Sequence, residues 1–259
     1  MRAKKKEKPK SLNLALYFGF FVFLIVAASF IFKVIEEIGK SKFDGDNRFT
    51  VAVLGEDGAN IISISPKDNS LTRVHVLGTV SPATLRNLSI PIYSYVKPES
   101  EISGSAKLYF VKMLFNKRSL ETDLGIFDLL KLSFYSLRTP QEKLKEEVLS
   151  VEEIDQYFLS SSLFVDDRIS SEKVKIQITN ATNVSGLGNK IAKILTNMGA
   201  NVVLVNSSKE TESKSKIIYR EESYSLEKTS QILGISTQKG ETGSISDIII
   251  IVGEDKEDF

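Results

Sequence analysis

The chain has 259 residues, room for one or two domains, and a net charge of +1, so no bulk electrostatic attraction draws it to nucleic acid or acidic ligands. It has no cysteine, which excludes a disulfide framework, a thiolate metal site and a cysteine nucleophile. A single histidine, His75, excludes a multi-histidine metal cluster.

Residues 1–10 form a basic tail carrying Arg2, Lys4, Lys5, Lys6, Lys8 and Lys10. Leu12 to Phe32 follows without a charge. About 20 such residues, at a 1.5 Å rise each, cross the hydrocarbon core of a bilayer. Residues 11–35 are therefore expected to be a transmembrane anchor. The basic flank reads as a topology signal that keeps the N-terminus in the cytoplasm, rather than as a nucleic-acid or lipid-binding patch. A cleavable signal peptide is the rival, because Ala27, Ala28 and Ser29 are small. The length of the apolar run, which continues to Ile35, favours an uncleaved anchor. The rest of the chain is then expected outside the cytoplasmic membrane.

Glu36 to Asn47 reads as a polar linker, and residues 45–160 as an α/β domain. Strands are expected at Phe49–Leu54, Ile61–Ser65 and Leu71–Leu77, with a turn at Pro66-Lys67-Asp68-Asn69. His75 alternates with Val74 and Val76, so it shares a polar face with Arg73 and reads as a surface residue. Thr79 to Gly104 holds Pro82, Pro91 and Pro98 without a clear period and reads mostly as loop. Ala106–Phe115 is expected to be a helix. Thr122-Asp123 is expected to cap a second one, Leu124–Leu137. That helix is apolar nearly all round, so it is either central to a core or lies against a membrane surface or a partner. Thr139-Pro140-Gln141-Glu142 reads as a capping box opening a charged helix to about Leu149. Ser150-Val151-Glu152-Glu153 reads as another, opening a helix through Phe158. The serine-rich residues 161–173 read as a linker.

The stretch from Val174 to Asn206 organises the C-terminal part. Val174, Ile176 and Ile178 alternate with polar residues, as in a strand with one buried face. Leu187, Ile191, Ile194, Leu195 and Met198 fall on one helical face. Ser185 is the expected N-cap and Gly199 the stop. Val202–Val205 reads as a buried strand, completing a βαβ unit with parallel strands. A strand at Lys216–Arg220 is expected next, then a helix at Leu226–Leu233 capped by Ser225 and stopped at Gly234. Asp247–Val252 reads as a central strand covered on both faces. Glu254–Phe259 reads as a frayed acidic tail. The fold class is α/β: a transmembrane helix, an α/β domain, then a small βαββαβ sandwich with a mixed sheet.

Residues 174–253 resemble the C-terminal domain of LytR-type proteins of the LytR-CpsA-Psr group. The resemblance rests on Asn180-Ala181-Thr182, Ser185-Gly186-Leu187, the amphipathic helix, Gly199, the valine-rich strand and Val252-Gly253-Glu254-Asp255. Residues 48–165 look like a shortened, degenerate relative of the catalytic domain that commonly precedes it. Thr122-Asp123-Leu124, Phe127-Asp128-Leu129-Leu130 and Phe164-Val165-Asp166-Asp167-Arg168-Ile169 look like its later portion, and Phe49–Gly55 like its first strand. The resemblance implies a membrane-anchored protein facing the cell wall. Active family members move glycopolymers from a polyprenyl-pyrophosphate carrier to peptidoglycan, using arginines for the pyrophosphate and acidic residues for a divalent metal. This chain departs from that pattern. Glu56 and Asp57 follow the first strand without an arginine. Gly78-Thr79-Val80-Ser81 stands where the family carries an Arg-Asp pair, and Ile92-Tyr93 follows Ser89-Ile90-Pro91 in place of another. Arg73 and Arg86 lie at other spacings. No catalytic residue, metal ligand or cofactor site is carried over.

The sequence therefore points to a non-enzymatic, single-pass protein of the bacterial cell envelope, with a binding or interaction module outside the membrane. Its expected partners are the membrane and peptidoglycan or other envelope proteins, not nucleic acid. A divergent glycopolymer transferase is the alternative. A transcriptional regulator is disfavoured, because the folded part would never meet DNA. The candidate ligand loop comprises Asn180, Thr182, Asn183, Ser185 and Gly186, where a strand ends and a helix begins. Their structural alternative is turn and cap chemistry alone. Gly186-Leu187-Gly188 does not complete a dinucleotide fingerprint, because Ile191 replaces the third glycine and no acidic residue ends the second strand at Asn206.

Overall fold

The computed structural model describes residues 10–154 and 163–259, with side chains from Tyr17 onward in the first helix. Two compact units emerge, residues 1–41 and 42–259. In the first, helix α1 (Lys10–Gly39) contains one stretch, Tyr17–Gly39, long and apolar enough to cross a membrane. The basic tail up to Pro9 lies outside the described residues.

The second unit holds two mixed sheets. The first contains β1 (Phe49–Leu54), β2 (Gly58–Ser65), β3 (Ser70–Leu77), β4 (Ser94–Pro98), β5 (Leu120–Thr122) and β6 (Leu144–Ser150), in the order β5-β4-β1-β2-β3-β6. Helices α2 (Pro82–Asn87), α3 (Ala106–Phe115) and α4 (Ile126–Arg138) belong to this half. The strand period of two sends alternate residues into two separate cores. Val51 pairs with Ile62 on one face, packed with Phe110 and Met113 of α3 and Leu129 and Leu132 of α4. Ala52 pairs with Ile61 on the other, packed with Leu85 of α2 and with Ile154 and Phe164. Each of the larger side chains among them, Val, Ile, Leu, Phe or Met, contributes roughly 2 kcal/mol of transfer free energy.

Several sequence expectations change here. Thr79–Gly104 is not mostly loop. It holds α2, closed by a reciprocal Ser81–Thr84 capping box, and β4, which lies beside β1 and runs parallel to it. Helix α4 begins two residues later than expected, with Gly125 as N-cap. Asp128 accepts from the Gly125 amide at 2.8 Å. Thr122 instead ends β5 and accepts from the Leu124 amide. The charged helix expected to end near Leu149 is a strand. After a short 3₁₀ turn at Gln141–Lys143, Leu144–Ser150 pairs in parallel with β3. Leu, Lys and Glu favour helix locally, but β3 offers a row of unpaired backbone groups, and pairing with it decides. The second capping box is present: the Ser150 amide and hydroxyl both donate to Glu153 Oε2, at 2.8 and 3.0 Å. The helix it opens is seen over 151–154, and its expected continuation to Phe158 lies outside the described residues.

The second sheet contains β7 (Lys175–Asn180), β8 (Asn201–Ser207), β9 (Lys216–Tyr219), β10 (Thr237–Lys239) and β11 (Ile248–Val252), in the order β10-β9-β11-β7-β8. Only the β9–β11 pair is antiparallel. Helices α5 (Asp167–Glu172), α6 (Leu187–Asn197) and α7 (Tyr224–Leu233) share one core with Ile176, Ile178, Ile248, Ile250 and Val252. Ile249 and Ile251, on the opposite face of β11, stay half-exposed, so this strand is covered on one face and not on both. β8 is an edge strand with Val203 and Leu204 exposed, not the buried strand expected. Residues 161 and 162 of the expected linker lie outside the described residues. From Asp167 the segment forms α5, and Ile169 enters the core. Ser223, not Ser225, caps α7 by accepting from the Leu226 amide. The tail is not frayed: Asp255 accepts from the amide and hydroxyl of Ser215 at 2.7 and 2.6 Å, and Phe259 packs on the core.

The two sheets are tied through a polar seam. The Arg48 Nε donates to Val165 O at 3.0 Å, and the Asp166 amide donates to Met198 O at 3.0 Å. Asp166 is buried, caps α5 and accepts from the Tyr224 hydroxyl at 2.8 Å. Burial, then the neighbouring Asp166 carboxylate, pushes the Tyr224 pKa upward, so the phenol stays protonated. Lys228 of α7 is almost fully buried. Its ammonium faces Asp44 at 3.5 Å and lies 5.6 and 5.2 Å from the ring centres of Tyr93 and Tyr224.

Candidate functional site

The sequence-derived loop is built where β7 ends and α6 begins. The Asn180 side chain is turned inward. Its amide donates to Val184 O at 2.9 Å, and its carbonyl accepts from the Thr182 amide and hydroxyl at 3.2 and 2.8 Å. The Thr182 hydroxyl in turn accepts from the Val184 amide at 3.1 Å. These are turn bonds, and they occupy both side chains. Ser185 is not the N-cap. Gly186 takes that position at φ +82°, left-handed backbone that glycine adopts freely, and it makes no side-chain cap. The loop therefore presents Asn183, Ser185 and Gly186 to solvent, while Asn180 and Thr182 shape it. Gly188 serves packing instead. A β-carbon there would lie 3.1 Å from Val205, so glycine lets α6 settle closely onto the sheet.

A second concavity, a cleft of about 260 Å³, opens at the carboxyl ends of the parallel strands β1 and β4. Crevices at such strand ends are common ligand sites in α/β folds. The turn Gly55–Gly58, Asn60, His75, Glu99, Glu101 and Tyr109 form most of its wall. Asn60 and His75 are register partners on β2 and β3, and His75 Nδ1 lies 3.2 Å from Asn60 Oδ1. The Asn60 amide donates to the Tyr109 hydroxyl at 3.0 Å. Burial pushes the Tyr109 pKa up to about 12, which keeps the phenol neutral. The Arg73 guanidinium stacks 5.6 Å from the centre of the Tyr109 ring, pairs with Glu146 at 3.2 Å and donates to Gly104 O at 2.6 Å. His75 is thus half-buried inside a hydrogen-bonded group, not a plain surface residue, because Tyr109 of α3 reaches across that face of the sheet.

Charge decides what the cleft can accept. Glu56, Asp57, Glu99 and Glu101 line it, and none of its lining residues is an arginine or lysine. All four carboxylates are exposed, so water screens them, and together they disfavour an anionic ligand. The nearest guanidinium described, that of Arg73 behind Tyr109, is already paired with Glu146 and the Gly104 carbonyl. Among the described residues, no group of three or more His, Asp or Glu side chains is placed to hold a metal ion. Asn60 and Tyr109 were not singled out from sequence. The available signals were a polar residue inside an apolar strand and a tyrosine on the inner face of a helix.

The comparisons bear on the last third of the chain. A family model described as LytR cell envelope-related transcriptional attenuator, LytR_C, matches residues 173–255. This segment is a LytR C-terminal domain. It comprises β7 to β11 with α6 and α7, and it includes the loop from Asn180 to Gly186. The LytR_C domain leans on a helix just outside the match. Glu172 of α5 accepts from the amides of Tyr224 and Ser225, at 3.1 and 2.8 Å, and from the Ser225 hydroxyl at 2.6 Å. A carboxylate at a helix N-terminus also complements the helix dipole. No curated protein and no solved structure matches the chain.

Proposed function

We propose that this chain is a single-pass, membrane-anchored protein of the bacterial cell envelope. Its folded unit lies outside the cytoplasmic membrane and acts without catalysis, as a binding or interaction module in cell-wall assembly. The LytR_C domain supports a role in the envelope, and the Tyr17–Gly39 stretch suits a membrane anchor. The observation that carries the non-enzymatic reading is the charge of the cleft at the ends of β1 and β4. Four carboxylates line it where a polyprenyl-pyrophosphate transferase would need arginines. The degenerate relation of the first sheet to a LytR-CpsA-Psr catalytic domain belongs to the same proposal. A divergent transferase would have to bind its pyrophosphate elsewhere. The proposed wall-facing ligand is peptidoglycan, met at Asn183, Ser185 and Gly186.

The test uses the purified full chain in detergent with a polyprenyl-pyrophosphate analogue and Mg²⁺ or Mn²⁺. No phosphate release is the expected result. Metal-dependent release that disappears in Asp57→Ala would overturn the reading and establish an enzyme.

A further inference from the structure

Helix α4 was expected either to be central to a core or to lie against another surface, and it does the first on one face only. Leu129 and Leu132 are fully buried in the first core. Ile126, Leu130, Phe134 and Leu137 are 50, 44, 52 and 52 % exposed. At 100° per residue these four positions fall within an arc of about 80°, a single outward stripe. Charge on the helix is one-sided. Its only carboxylate, Asp128, is fully buried, whereas Lys131 and Arg138 flank the stripe. The Arg138 guanidinium lies 5.1 Å from the centre of the Phe134 ring.

What covers the stripe follows from the chain's connectivity. Only Lys40 and Ser41 separate the end of α1 at Gly39 from Lys42, the first residue of the folded unit. A fully extended residue spans at most about 3.6 Å, so Lys42 stays within roughly 11 Å of Gly39 whatever the angle between them. The next residue is pinned to α4. The Phe43 amide donates to Asp128 at 2.9 Å, Lys131 Nζ donates to Phe43 O at 2.7 Å, and the Phe43 ring meets Tyr135 edge-on at 5.8 Å. The segment is also held by α7, whose Lys228 and Gln231 reach the Lys42 carbonyl at 3.5 and 3.4 Å, but of these two helices only α4 carries an exposed apolar stripe.

We infer that α4 is an interfacial helix, with Ile126, Leu130, Phe134 and Leu137 seated among the lipids and Lys131 and Arg138 level with anionic headgroups. This inference rests on the anchor reading, and its test separates the two. The chain has no cysteine, so single-cysteine variants take one fluorophore each. Leu130→Cys, Phe134→Cys, Phe23→Cys in α1 and Glu210→Cys in an exposed loop are labelled with a polarity-sensitive dye. Each full-length protein is reconstituted into phosphatidylglycerol–phosphatidylethanolamine vesicles whose lipids carry a quencher, either near the glycerol backbone or deep in the acyl chains. The expected result is loss of most Phe23 emission with the deep quencher and of most Leu130 and Phe134 emission with the shallow one, while Glu210 emission persists. Leu137→Glu should reduce quenching at Phe134→Cys. Quenching at Phe23 with none at Leu130 or Phe134 overturns the inference and leaves the anchor standing. α4 emission that shifts with protein-to-lipid ratio, without quenching, assigns the stripe to a second copy and also overturns it. Absence of quenching at Phe23 removes the anchor, and the inference with it.

Discussion

The ammonium of Lys228 faces the carboxylate of Asp44 at 3.5 Å, joining α7 of the LytR_C domain to the segment that leads into the first sheet. Lys228 is 1 % exposed and Asp44 30 %, so the lysine is desolvated while the aspartate keeps part of its water. The rings of Tyr93 and Tyr224, the carbonyl of Lys42 at 3.5 Å, the Gln231 side-chain oxygen at 3.4 Å and the Glu227 carboxylate at 3.8 Å also surround the cation. The seam between the two sheets is thus organised around one buried cation.

Removing that cation should be costly. Lys228→Ala is expected to destabilise the 42–259 unit by about 3 kcal/mol, through a cavity and a carboxylate that has lost its partner. Lys228→Met, which fills the space, should cost less, about 1 kcal/mol. Urea denaturation of both variants checks the order, and equal losses would show that the charge rather than the packing dominates.

Acid should loosen the same seam. Burial alone would raise the Asp44 pKa, but the amides of Asn47 and Asp46, then Lys228, bring it below the ordinary carboxylate value. A depressed folded-state pKa contributes stability above the unfolded value, about 3.9, and loses it as pH falls through the folded value. Asp255 behaves likewise: burial is the largest single effect and raises its pKa, but the hydroxyl and amide of Ser215, then Lys256, together bring it below the ordinary value. The urea midpoint should therefore fall as pH drops below about 4. The fall should be shallower in Asp44→Asn, and an unchanged slope in that variant would remove Asp44 from the account.

What could be read from sequence was what local periodicity encodes. The helix Ala106–Phe115 and the strand–helix unit around Ile176, Leu187 and Ile191 announce themselves by spacing, and they fold as read. β6 failed because Leu144–Ser150 is locally helix-like, and only its pairing with β3, more than seventy positions earlier in the chain, makes it a strand. β4 failed because five residues ending in a proline are too short to show a period. In the loop, Ser185 looked like a cap because serine usually is one. The decisive fact was the left-handed backbone at Gly186, which a hydroxyl does not signal. The group His75, Asn60 and Tyr109 was invisible because its members come from three elements.

The loop makes a sharper test once its bonds are known. Ser185→Ala should change stability by less than about 0.5 kcal/mol, as an exposed position would. Asn180→Ala should cost about 2 kcal/mol, since it leaves the Val184 carbonyl and the Thr182 amide without their partner. Asn183→Ala is expected to keep full stability yet weaken co-sedimentation with purified peptidoglycan. Undiminished co-sedimentation would confine the loop to shaping the turn.

Orientation can be checked in cells. The basic flank before the apolar span predicts a C-terminus outside the cytoplasm. A C-terminal alkaline phosphatase fusion should be active, and a fusion to a reporter that works only in the cytoplasm should be silent. The reverse pattern would place the LytR_C domain on the cytoplasmic side and remove peptidoglycan from its reach.

The position of β11 has a consequence for biosynthesis. Strand β11 is inserted between β7 and β9, which both precede it in the chain and are hydrogen-bonded to it rather than to each other. The second sheet therefore cannot close while the ribosome still holds residues 248–252. A stop codon before Ile248 would leave two strands with open inner edges and a core without Ile248, Ile250 and Val252.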